Sequence, residues 1–161
     1  IPPYFSVKPH DLIVDDSKIK VGFVYKGNFV KYGAKRNFEL NNFDIFKKNN
    51  IKLYCFQHES DFQKNKKITE FINLSDEIND WYDTAKYMAA MDVIMSADTG
   101  FAHLAALLGK KTLVFLRRGH DNVYMPIGHK CSPHYPKKMF MFWGETAFEQ
   151  IYREIIPYKF I

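Results

Sequence analysis

Apolar residues in this chain fall into two rhythms. The first is a set of short unbroken runs: Ile19 to Tyr25, Ile51 to Gln57, Ile68 to Leu74, Val93-Ile94-Met95, Lys111 to Leu116 and Lys138 to Trp143. Runs of this length, rich in β-formers and bounded by polar or turn residues, predict strands buried on both faces. The second rhythm has steps of three and four residues. It predicts helices from Asn41 or Asn42 to about Lys48, from Asp83 to Met91, from Phe101 to Leu108, and from Glu145 to Ile156. Tyr87, Met88 and Met91 mark the inner face of the second helix, and Gly144 stands where a cap could precede the last. Roughly six strands alternating with helices predict an α/β, Rossmann-like, doubly wound and mostly parallel sheet. Residues 1–18, with Pro2, Pro3 and Pro9, read as a linker or arm, and residues 19–161 as the domain.

One stretch organises the rest. Met91 to Gly109 reads as a buried strand, a tight polar turn and a helix that opens at the turn. Asp98 occupies the expected N-cap position, with Thr99 and Gly100 behind it. Phe101, Leu104, Ala105 and Leu108 form the helical stripe, and Gly109 is the expected left-handed stop. A strand that ends in Asp-Thr-Gly and opens a helix aims free N–H groups and a positive helix end at one spot, which suits a phosphate. His103 lies one turn inside that helix, within reach of the same anion.

Composition narrows the partner. The 161 residues suffice for one domain with a real core, and a 47% hydrophobic content excludes disorder. The net charge of +5 favours an anionic partner, a phosphorylated small molecule or an anionic surface about equally and a nucleic acid less. The aromatic residues fall mostly in the apolar runs, as core residues do, so base stacking along a nucleic acid is not expected. Cys55 and Cys131 do not make a disulfide framework. No apolar run approaches the roughly 20 residues of a membrane span, and no export signal is visible. The chain does not begin with Met and reads as a piece of a longer protein.

In a doubly wound sheet, ligands sit beyond the carboxyl ends of the strands. That edge is predicted to carry Lys26-Gly27-Asn28, Gln57-His58-Glu59, Asp98-Thr99-Gly100 and Arg117-Arg118, beside a long irregular segment from Arg117 to Pro136. A basic cluster of Lys31, Lys35 and Arg36 follows the first strand. His129, Cys131 and His134 lack a second ligand pair at zinc-like spacing, so no metal is expected. Asp92 and Asp98 fall at opposite ends of one strand, about 20 Å apart at strand rise, too far for a catalytic pair.

Asp83-Thr-Ala, then Met91 to Lys110 with its Asp98-Thr-Gly-Phe-Ala-His-Leu-Ala core, resembles the heptosyltransferase-type glycosyltransferases of family nine, most closely those found behind tetratricopeptide repeats. Val21 to Asn28 resembles that domain's first strand and glycine turn, and Arg36 stands where the family has an Arg before its first helix. Leu53 to Gln57 resembles the second strand with its closing Gln. Ser132-Pro-His-Tyr-Pro136 resembles a Ser-Pro-Trp-Tyr-Pro segment, with His134 in place of Trp.

The resemblance implies the carboxy-terminal, donor-binding half of a GT-B fold. It places Lys26, Gly27, Asp98, Thr99, Gly100 and His103 at a nucleotide-diphosphate sugar, and Gln57, Arg36 and His103 in the transfer step. Which of Lys31, Lys35 and Arg36 serves as the cation stays open. It further implies that no cofactor or metal is needed, that the acceptor site and base belong to a missing amino-terminal domain or repeat region, and that the protein is cytoplasmic. The rival expectation is an inactive nucleotide-binding or scaffolding module of a repeat protein.

Overall fold

The structure, a computed structural model, describes residues 3–11, 13, 17–27, 43–46, 50–58, 71–116, 131–135, 137–143 and 146–159. In chain order the elements are β1 (Ile19–Val24), β2 (Ile51–Cys55), β3 (Ile72–Asn73), α1 (Trp81–Ala89), β4 (Val93–Ala97), α2 (Gly100–Leu107), β5 (Lys111–Leu116), β6 (Met139–Trp143) and α3 (Ala147–Ile155). Among the described residues the strands form one six-stranded sheet in the order β3-β2-β1-β4-β5-β6. Every ladder is parallel, as the unbroken apolar runs require. The expected Rossmann-like α/β architecture is the observed one.

Strand alternation sorts the core into two layers. On one face Val21, Phe23, Leu53, Val93, Met95 and Leu113 meet Phe43, Phe46 and the α3 residues Phe148, Ile151 and Ile155. On the other, Val24, Tyr54, Phe56 and Ile94 lie under Tyr87 and Met88 of α1, Met91, and Phe101 and Ala105 of α2. The opposite side of α2 is buried too, because Ala102 and Ala106 pack on Val114, Met139 and Met141. The single stripe expected for this helix therefore understates its burial. Small alanines let it sit close over β5 and β6.

Several boundaries move for local reasons. α1 opens at Trp81 because the Asp80 carboxylate accepts from the Asp83 N–H at 2.8 Å, so Asp83 is in the first turn and does not start the helix. The third strand, expected over Ile68 to Leu74, pairs only at Ile72 and Asn73 among the described residues. Asn73 Oδ1 then accepts from the Ser75 N–H and turns the chain into a short 3-10 segment, Ser75–Glu77. α3 starts at Ala147 behind Thr146. The expected start of the first helix, its continuation to Lys48 and the cap at Gly144 lie outside the described residues, and residues 43–46 form a 3-10 turn. β5 has the expected bounds, and Gly109 has the positive φ of 75° expected where α2 stops.

The amino-terminal residues lie against the helices. Tyr4 N–H donates to Leu107 O, His10 N–H donates to Lys86 O, and the His10 ring stacks on Tyr87 with centroids 4.1 Å apart. Asp92 is held at the far edge from the Asp-Thr-Gly turn, where its carboxylate accepts from the Lys20 N–H at 2.7 Å.

Gly22 is required by packing. A Cβ there would lie 2.8 Å from Phe56, 2.9 Å from Ile94 and 3.0 Å from Met91. Gly22→Ala is therefore expected to destabilise the domain by about 1–3 kcal/mol through overpacking of the layer under α1 and α2. Urea denaturation measures this, and an unchanged or raised midpoint would contradict the packing.

Candidate functional site at the carboxyl edge

The sheet order reverses between β1 and β4. The chain leaves β1 toward β2 and β3, then returns to β4 on the other side. At such a reversal the loops leaving two neighbouring strands part, and a crevice opens beyond their carboxyl ends. Tyr25-Lys26-Gly27 leaves β1 there, Phe56-Gln57-His58 leaves β2 beside it, and Asp98-Thr99-Gly100 leaves β4. The topology thus brings Lys26, Gly27, Gln57, Asp98, Thr99 and Gly100 to one edge, with His103 one turn into α2. Lys31, Lys35, Arg36, Glu59, Arg117 and Arg118 lie outside the described residues, as does most of the segment from Arg117 to Pro136.

The turn between β4 and α2 differs from the sequence expectation in one respect. The N-cap is Thr99, with extended backbone at φ −147° and ψ 168°, and not Asp98. Asp and Thr are both good caps, and the length of β4 decides between them. The strand runs to Ala97, and Asp98 makes the bend before the helix starts at Gly100. The Thr99 hydroxyl faces back toward the strand, 3.3 Å from Ser96 Oγ, while Ser96 donates to Ala97 O at 2.6 Å. No side chain makes the capping bond at α2, and its first turn carries no acidic residue. A helix start leaves its first N–H groups without intrahelical partners and carries a partial positive charge. Here neither is compensated by a capping side chain. α1 starts at the same edge and is compensated by Asp80 and Asp83.

His103 is half-buried, with Nδ1 3.2 Å from the Tyr135 hydroxyl. Loss of solvent holds its pKa below the usual 6.5. The nearby Asp98 charge pulls upward and His134 pushes down again. The ring is therefore neutral at pH 7, with one donor and one acceptor nitrogen. The hydrogen bond to Tyr135 fixes the imidazole against the turn that follows Cys131.

Gln57 has a bonding duty of its own. Its Oε1 accepts from the Lys26 N–H at 3.0 Å and ties the end of β2 to the end of β1. The Lys26 ammonium lies 5.5 Å from the centre of the Tyr25 ring. Cys55, two residues before Gln57 at the end of β2, is fully buried with its thiol pushed up to about 12 by desolvation, and is inert.

Two residues absent from the sequence-derived set belong to this edge. Tyr135 positions His103, and its signal was the Ser-Pro-His-Tyr-Pro segment. Trp81 heads α1, is 63% exposed, and its Cη2 would lie 3.7 Å from a Cβ at Gly100. Nothing in the spacing of the sequence links Trp81 to Gly100.

No family model matches the sequence, and no curated protein matches it at a significant level. Solved structures do match its fold. ADP-heptose LPS heptosyltransferase II of E. coli superposes with a TM-score of 0.64 at 13% identity, over 91% of this chain and 48% of that chain. The E. coli heptosyltransferase WaaC, solved with ADP, gives 0.64 at 13% identity, over 89% of this chain and 45% of that chain. A family nine glycosyl transferase from Veillonella parvula gives 0.62 at 14% identity, over 88% and 39%. The chain spans about half the length of the first two and less of the third. It has the Rossmann-like fold of one half of a GT-B heptosyltransferase.

Proposed function

We propose that this chain is the donor-binding half of a glycosyltransferase and holds the diphosphate of a nucleotide sugar at the start of α2. The observation that carries the proposal is Gly100. Its φ is not positive, and a Cβ there would meet only the Trp81 ring, at an ordinary contact distance. Neither backbone strain nor packing requires glycine at this position. Gly100 is the first residue of α2, and glycine loses more backbone entropy on entering a helix than alanine does. A residue kept small with no internal reason, at an uncapped helix start on the ligand edge, suits close approach of an oxyanion to the backbone. The likeness to a heptosyltransferase solved with ADP supports the same reading.

In this reading the first N–H groups of α2 and the Thr99 hydroxyl bind the diphosphate, with His103 donating a further hydrogen bond. Asp98 sets the bend that presents them. Lys26 and one of Lys31, Lys35 and Arg36 supply positive charge. During transfer the bond from the anomeric carbon to the diphosphate oxygen breaks and negative charge collects on the departing group. Donors already aimed at that charge lower the barrier. The helix end and the cations supply this stabilisation without a metal. Gln57 acts by holding the ends of β1 and β2 in register. The acceptor and the base that deprotonates it belong to a second domain. The proposal includes a cytoplasmic setting, where nucleotide sugars are made, and attachment to a tetratricopeptide-repeat region.

Calorimetry with ADP, GDP, UDP and CMP tests the reading. A nucleoside diphosphate is expected to bind, and Thr99→Val or His103→Ala to weaken it by about tenfold to a hundredfold, the effect of losing a hydrogen bond to a charged group. Gly100→Ala separates binding from folding: the thermal midpoint should hold or rise while diphosphate affinity falls. Binding that survives Gly100→Ala unchanged sinks the proposal.

His103 gives a second test, by NMR titration. In the free protein its midpoint lies below 6.5, because burial disfavours the charged ring. An anion beside it favours the charged ring, so added diphosphate should move the midpoint up. A midpoint that ignores saturating ligand places the phosphate elsewhere.

A further inference from the structure

We propose that Trp81 is the stacking platform for the nucleobase of the donor, and therefore a residue that fixes which end of the ligand lies where. The inference rests on the reading that the α2 start holds the diphosphate. It adds a neighbouring subsite for the uncharged end of the same molecule.

Trp81 is the most exposed of the large apolar side chains among the described residues, at 63%. An indole left in water exposes a large apolar surface that folding alone would bury. Its sequence neighbour Tyr82 is also exposed but lies under the Lys86 ammonium, 5.2 Å from the ring centre. Trp81 has no such cation and no ring partner among the described residues. The tip of its six-membered ring reaches across from the head of α1 to the head of α2, where Cη2 would lie 3.7 Å from a Cβ at Gly100. The ring therefore borders the proposed diphosphate position and leaves a broad surface to solvent.

Charge decides what can lie on it. Asp76, Glu77 and Asp80 are exposed immediately before Trp81, and Asp83 follows in the first turn of α1. These carboxylates repel a further phosphate. Lys26 follows β1, two strands away from β3, whose end leads into this cluster. A nucleotide sugar has one flat, uncharged, aromatic end joined to its diphosphate through a ribose. That end fits an exposed indole beside acidic side chains. Stacking on an aromatic ring tolerates any base, so the ring supplies affinity and orientation more than base choice.

Three variants measured against two probes test the proposal: wild type, Trp81→Ala and Trp81→Phe, each titrated with ADP and with inorganic pyrophosphate. Wild type should bind ADP more tightly than pyrophosphate. Trp81→Ala should weaken ADP by about fivefold to a hundredfold, the range of one base–aromatic stack, and leave pyrophosphate unchanged. Trp81→Phe should restore most of the ADP affinity. ADP should also quench the indole emission of wild type, and that quenching should vanish in Trp81→Phe, which retains Trp143 as the other tryptophan. ADP affinity that is equal in wild type and Trp81→Ala overturns the stacking role while leaving the diphosphate site standing. Equal loss of both probes in Trp81→Ala also overturns it, as the ring then only shapes the helix start. Failure of wild type to bind either probe overturns this inference together with the diphosphate site beneath it.

Discussion

The structure depends on β1 and β4 lying side by side and parallel, from Val21 opposite Val93 to Val24 opposite Ser96. Parallel neighbours cannot be joined by a tight turn, and each needs a crossover over a face of the sheet. Every helix that follows a strand here must therefore begin at the carboxyl edge, with its positive end pointing there. Among the described residues three helices do so. α1 meets this with Asp80 and Asp83, and α3 has Glu149 in its first turn. α2, the helix beside the switch point, has no acid in its first turn and no capping side chain. The fold makes the positive edge unavoidable, and the side chains neutralise it on both flanks and leave it at the centre.

Two glycines meet opposite packing conditions. Gly22 is enclosed by Phe56, Ile94 and Met91, so its missing Cβ is a condition of the layer beneath α1 and α2. Gly100 has open space except for the Trp81 ring. The same residue type answers an internal demand in β1 and no internal demand at α2. Ser96 is a similar case among polar groups. It is completely buried in β4, yet its hydroxyl is satisfied by Ala97 O and lies next to Thr99 Oγ1, so the strand end and the turn are locked together without leaving a polar orphan.

Much of this was legible before any coordinates. Six apolar runs separated by helical periods are enough to foresee a parallel sheet covered on both faces, because only strands buried on both sides lack alternation. β5 came out with its expected bounds, and Gly109 with its expected left-handed backbone. What was missed has physical causes. Asp98 and Thr99 are adjacent residues that both cap well, and the choice is made by how far β4 extends. β3 ends at Asn73, short of the expected Leu74, because Asn73 turns its own backbone away from the ladder, and the expected start at Ile68 lies outside the described residues. Helix periodicity reports the residues that face the core, such as Tyr87 and Met88, and is silent about an exposed head residue such as Trp81. The bond from Lys26 to Gln57 and the bond from His103 to Tyr135 join segments about thirty residues apart in the chain, a separation that spacing rules do not reach. The basic cluster of Lys31, Lys35 and Arg36 lies outside the described residues.

The two edges of the sheet carry different kinds of chemistry. At the amino edge several polar groups have partners within the protein. Lys20 and Asp92 join β1 to the approach to β4, Asn50 donates to Ser17 O, and Lys110 Nζ takes the carbonyls of Ala89 and Met91 where α1 ends. The amino-terminal arm closes over the same region, with Pro3 against Gly109 and Tyr4 on Leu107. Lys110 shows the cost of that closure: desolvation lowers its pKa, and the carbonyls it bonds are what keep the ammonium tolerable there. The carboxyl edge has an uncapped helix start, an imidazole held neutral by its surroundings, a cation at the end of β1 and an exposed indole. Both edges thus hold partnered polar groups, Lys110 at the amino edge and Gln57 and His103 at the carboxyl edge among them. A substitution at the amino edge removes a partner from a buried or half-buried group and acts on stability. At the carboxyl edge Asp80 caps α1 and Gln57 ties β2 to β1, so substitutions there act on stability too, and among the described α-helices the start of α2 alone lacks both a capping side chain and a first-turn acid.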